Sequence, residues 1–97
     1  MVIVFHIPGP LQSFTGGQSS VEVEASGATV RDALRALWTA FPGIRDRIAT
    51  EQEVIREHVN VFVGNENIRY SGGLATPIAD RAEISIVPSI SGGQVSC

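Results

Sequence analysis

Between Thr29 and Pro42 the residues Val30, Ala33, Leu34, Leu37, Trp38 and Phe41 recur at helical spacing, giving one apolar stripe about three turns long. A helix with a single apolar face must bury it against another layer of similar size. Its limits are written in the chain. Gly27 and Ala28 lead into Thr29, an N-cap residue, and Asp32 stands three residues later in the capping-box position. Pro42-Gly43 ends the helix. The chain has 97 residues, enough for one core and not two. Such a chain buries roughly 60–65% of its unfolded surface, which leaves no room for a deep, walled active site. Length alone therefore favours a carrier, a binding module or a small subunit over an enzyme.

The covering layer is read from the other segments. Val2 to Ile7 is β-branched and aromatic and reads as a strand, broken by Pro8-Gly9-Pro10. Thr15-Gly16-Gly17-Gln18 reads as a turn and Ser20 to Glu24 as the return strand of a hairpin. Ile44 to Glu57 is charged and irregular, with room for one short helical turn. Val59 to Val63 alternates as a strand, Gly64-Asn65-Glu66 turns, and Asn67 to Tyr70 reads as a short strand. Ser71-Gly72-Gly73-Leu74 is a loop and Pro77 to Arg81 a connection. Glu83 to Val87 is the last strand, and Pro88 is expected to stop regular pairing. The compact solution is an α+β domain: a mixed sheet of four to five strands on one main helix, the β-grasp arrangement, with the last strand central beside the first. Alternation places Ile3, Phe5, Ile7, Val61, Val63, Ile84 and Ile86 toward the helix. Val4, Phe62 and Val87 then fall on the open face, as a candidate surface for docking a partner.

Charge and cysteine content narrow the function classes. Net charge is −3 and the arginines are scattered, unlike a nucleic-acid footprint. All seven basic residues are Arg, so no side-chain amine is offered for isopeptide chains. The one cysteine, Cys97, excludes a disulfide within the chain, and a cytoplasmic protein is the simplest fit. Met1 to Ile7 is too short an apolar run for a signal peptide, and no apolar run approaches the ~18 residues that span a membrane. His6 and His58 lack neighbours at metal-ligand spacing, so no metal site is expected. Thr15-Gly16-Gly17-Gln18 lacks the lysine of a phosphate-binding loop, so nucleotide binding by this chain is not expected either.

After the last strand the chain reads Pro88-Ser89-Ile90-Ser91-Gly92-Gly93. Three diglycines occur, but Gly16-Gly17 and Gly72-Gly73 are followed by more fold and read as turns. Gly92-Gly93 directly after a strand and a proline resembles the end of the MoaD/ThiS family of ubiquitin-like sulfur carriers. Thr15-Gly16-Gly17-Gln18, Val59-Asn60-Val61-Phe62-Val63 and Ile68 to Thr76 resemble its CysO-type branch, which serves cysteine biosynthesis. The resemblance implies that a partner enzyme uses ATP to adenylate the Gly93 carboxylate, and that sulfur then displaces AMP to leave a thiocarboxylate. The carrier binds no cofactor and is not itself catalytic. Gly92, Ser91, Ile90 and Pro88 would thread the partner's narrow channel, since backbone without Cβ approaches closely. The implied partners are a ubiquitin-activating-type adenylating and sulfurylating enzyme and a sulfur acceptor, such as a pyridoxal-phosphate-dependent cysteine synthase.

The sequence departs from that family at its end. Gln94-Val95-Ser96-Cys97 follow Gly93, which therefore has no carboxylate to activate. The expectation is a precursor cut at the Gly93-Gln94 bond by a zinc-dependent JAMM-type peptidase. The chain then divides into a domain at 1–88, a flexible diglycine tail at 89–93 and a removable extension at 94–97. Asp80-Arg81 stands where the family usually carries Asp-Gly in a turn. Two alternatives use the same fold: a protein modifier attached to lysines through Gly93, and an interaction module whose tail is never processed.

Overall fold

The structure is a computed structural model that describes residues 1–88. Its sheet strands are β1 (Val2–His6), β2 (Ser20–Glu24), β3 (Val59–Val63), β4 (Glu66–Asn67) and β5 (Glu83–Pro88). Two helices, α1 (Val30–Ala40) and the short α2 (Arg45–Ile48), separate β2 from β3. The strand order is β2-β1-β5-β3-β4. β5 runs parallel to β1 and antiparallel to β3, so the last strand is central, as the β-grasp pattern requires.

Helix α1 starts as its sequence dictates. The Thr29 hydroxyl accepts from the Asp32 backbone N–H at 3.4 Å, and the Asp32 carboxylate accepts from the Thr29 N–H at 3.3 Å. The helix ends at Ala40, before Pro42, whose ring closes φ and whose nitrogen has no proton to donate. The stripe residues Val30, Ala33, Leu34, Leu37 and Trp38 are buried against Ile3, Phe5, Ile7, Val61, Ile84 and Ile86 of the sheet in one core. Val63 packs against that core while remaining partly exposed.

Four local features differ from the sequence reading. The strand expected at Asn67 to Tyr70 is β4 at Glu66–Asn67 followed by a 3₁₀ turn at Ile68–Tyr70. The Asn67 side-chain oxygen accepts the Arg69 N–H at 2.9 Å, which coils the chain and drives Ile68 into the core. The long connection after β1 holds a 3₁₀ helix, Gly9–Thr15, that Pro8-Gly9-Pro10 did not signal. The charged stretch after α1 contributes Ile44, Ile48 and Ala49 to the core through a 3₁₀ turn and α2. Pro88 does not stop pairing: it is the last residue of β5 and stands opposite Val59. Pairing of β1 with β5 ends at His6 and Ser85, so a proline without an N–H is tolerated there.

Candidate functional site

The site predicted from sequence is the chain's departure from the sheet. β5 carries the chain outward between β1 and β3, and Pro88 is the last described residue. The expected threading residues Ile90, Ser91 and Gly92, the reactive Gly93, the cleavage partner Gln94 and Cys97 lie outside the described residues. Pro88 is described and lines a 370 Å³ groove, which the sequence reading missed. Pro10, Leu11 and Phe14 from the 3₁₀ helix line it together with Arg47 and His58. The Arg47 guanidinium lies over the Phe14 ring at 5.4 Å, a cation–π contact that fixes this wall. Its trace in the sequence is Leu11 and Phe14, large apolar residues inside a connection of proline, glycine and polar residues.

The open face of the sheet is described in full. Val4, Phe62 and Val87 share it, by the two-residue alternation of their strands. Register separates them into two groups. Phe62 stands opposite Ser85, and Val87 lies two residues further along β5, so these two are diagonal neighbours. Val4 stands between Glu22 and Glu83. His6 Nε2 lies 2.8 Å from Glu83 Oε1, a polar pair between Val4 and the Phe62–Val87 patch. Val87 is 44% exposed, so the apolar part of this face lies at the end from which the tail departs.

The internal diglycines behave as turns. Gly16, Gly17, Gly72 and Gly73 all have positive φ, between 61° and 128°. Among the described residues no three His, Cys, Asp or Glu side chains are grouped to hold a metal ion, and no helix is long and apolar enough to cross a membrane.

The β-grasp sheet by itself does not name a family, and similarity decides it. The model of the ThiS family matches residues 5–93, through the second glycine of the terminal pair. The chain belongs to the ThiS family. Proteins of this type are small carriers and not catalysts themselves. The sulfur carrier protein CysO of Mycobacterium tuberculosis is 39% identical over 95 residues, covering 96% of this chain and 100% of that protein. Its crystal structure matches with a TM-score of 0.80 and 37% identity, over 91% of this chain and 99% of the other. One chain of the Amycolatopsis orientalis BexX/CysO complex matches this ThiS-family chain with a TM-score of 0.83 and 36% identity, over 94% and 99%. Small archaeal modifier protein 1 of Haloferax volcanii is 36% identical over 78 residues, covering 79% of this chain and 85% of that protein. A crystal structure of that modifier has a TM-score of 0.78 at 26% identity, over 92% and 98%.

Proposed function

We propose that this ThiS-family chain is a sulfur carrier that works through the main-chain carboxyl of Gly93. A JAMM-type metallopeptidase hydrolyses the Gly93-Gln94 bond, releasing residues 94–97 and leaving a carboxylate. A ubiquitin-activating-type enzyme joins that carboxylate to the α-phosphorus of ATP, and pyrophosphate leaves. A sulfur nucleophile then attacks the acyl carbon, AMP leaves with the bonding pair, and a thiocarboxylate remains. The acceptor is an enzyme that builds cysteine or another sulfur-containing metabolite. Phe62 and Val87, with Val4 beyond the His6–Glu83 pair, dock the activating enzyme on the open face while Pro88 to Gly92 enter its channel.

The observation that carries this reading is the family match running to residue 93, together with the 39% identity to a sulfur carrier protein over nearly the whole chain. The exit from a central strand adds a physical reason. β5 holds Pro88 in place beside β3, so a tail anchored there loses less orientational freedom on entering a channel. The BexX/CysO complex, in which a similar carrier is bound to another protein, supports action through a partner.

The test compares the full chain with a form ending at Gly93, incubated with the partner activating enzyme, ATP and sulfide. The expected product, from the shortened form alone, is a protein whose mass has gained the difference between sulfur and oxygen. Replacing Gly93 by Ala should slow that conversion by about a hundredfold, since a Cβ shifts the reacting carbonyl in a tight channel. Full activity of a bulky residue at 93 overturns the reading. The similarity to an archaeal modifier protein supports a second reading, conjugation to lysines of other proteins. It predicts a ladder of conjugates that survives denaturing purification.

A further inference from the structure

A second concavity lies on the helix side of β3. It measures 360 Å³, and Ile55, Val61, Ile68 and Leu74 give it an apolar floor. Clefts of about 300–1,000 Å³ with such linings and few polar groups are the size of binding sites. Val59 also lines it, and Val59 stands opposite Pro88 across the β3–β5 ladder. The cleft therefore opens one strand away from the departing tail.

One wall is the turn that follows α2, and it is clasped in place. Glu53 has φ of +62°, a left-handed conformation that residues with a Cβ rarely adopt. Its carboxylate accepts from Arg35 at 2.8 and 3.3 Å and stands 3.9 Å from Arg31. The hydrogen bond from Arg35 holds the Glu53 carboxyl below its ordinary range, against the opposing effect of partial burial. The clasp leaves Val54 turned outward at the lip, 58% exposed.

The charges at the rim are unequal. The Glu53 carboxylate is shared by two guanidinium groups. Arg69 spends one nitrogen on the Glu57 and Val59 carbonyls, at 3.3 and 3.4 Å, and has no carboxylate partner among the described residues. An apolar cleft edged by a guanidinium that has no carboxylate partner among the described residues complements an apolar side chain next to a carboxylate.

We propose that this cleft docks an apolar-acidic segment of the enzyme that receives the tail, with a leucine-sized side chain against Ile55, Ile68 and Leu74 and its neighbouring carboxylate on Arg69. The identity of that enzyme rests on the carrier reading; the affinity of the cleft does not. Docking here holds the partner one strand from Pro88, the last described residue. The later insertion of the tail becomes an intramolecular step at high effective concentration.

The test titrates the full, isotope-labelled chain with the blocked peptide acetyl-Asp-Leu-Glu-amide and with its uncharged counterpart acetyl-Asn-Leu-Gln-amide, following backbone amide resonances. The acidic peptide is expected to move the signals of Val54, Ile55, Arg69 and Leu74, and to bind at least about tenfold more tightly than the uncharged one. Arg69→Gln is expected to erase that tenfold preference, while the uncharged peptide binds it as it binds the unaltered chain. This second comparison separates lost charge from a distorted cleft. Equal binding of both peptides, shifts centred away from the cleft, or no shift at about 5 mM peptide overturns the proposal. No activation chemistry is read, so a negative result leaves the role of Gly93 standing, and failure of Gly93 to be adenylated leaves the peptide result standing.

Discussion

Gly27 has room for a hydrogen and nothing larger: a Cβ built there would stand 2.0 Å from Asp32 Oδ2. That oxygen is the one that closes the capping box on Thr29. Gly27→Ala and Thr29→Ala therefore attack the same cap from two sides. Each should cost about 1 kcal/mol in urea unfolding. The double variant should cost clearly less than the sum, because the second change finds the cap already lost. Thr29 and Asp32 were legible in the sequence because a capping box is a local pattern. Gly27 was not, because its role depends on a side chain five residues away. Arg81 is the opposite case, with φ of +65° where glycine would rest without strain. Arg81→Gly should stabilise the fold by up to about 1 kcal/mol, the left-handed penalty less the added freedom of the unfolded chain. Nothing in Asp80-Arg81 announces a positive φ, so only the family comparison hinted at it. Glu53 adds a pH dependence. Its carboxyl titrates lower folded than unfolded, so its contribution is present above the ordinary carboxylate range and fades as pH falls through the lowered value. Glu53→Gln should flatten the acid limb of a plot of melting temperature against pH and leave the neutral region little changed.

Elements were legible where their period was long enough to show. The boundaries of β2 and β3 follow directly from alternation, and α1 from its stripe. The segment at 66–70 misled because Asn67 and Arg69 alternate with Ile68 and Tyr70 as in a strand, while the Asn67 side chain captured the Arg69 N–H and coiled the backbone. The stretch from Ile44 to Ala49 hid three core residues among arginines and an aspartate, within a helix too short to display a period. β5 was read correctly as central, and its side chains bear the largest consequences. Ile84 is fully buried between the sheet and α1. Ile84→Ala should cost about 2–5 kcal/mol in denaturant unfolding. The same change should leave peptide binding at Arg69 intact under conditions where the variant stays folded.

For the molecule as a whole, the family was readable from the motif around the diglycine and the domain from its periodicities. The groove beside Pro88 and the cleft behind β3 were not, since both are assembled from segments far apart in sequence. The strand order carries a mechanical implication. The N-terminal strand β1 and the tail-bearing strand β5 run side by side in the same direction, with β3 bonded along the other edge of β5. Traction applied to Pro88 along β5 would load both ladders in shear, so their hydrogen bonds would resist together instead of parting one at a time. An unfolding motor pulling along β5 would meet its strongest resistance at the first tug, whereas an edge strand pulled the same way has only one ladder to hold it.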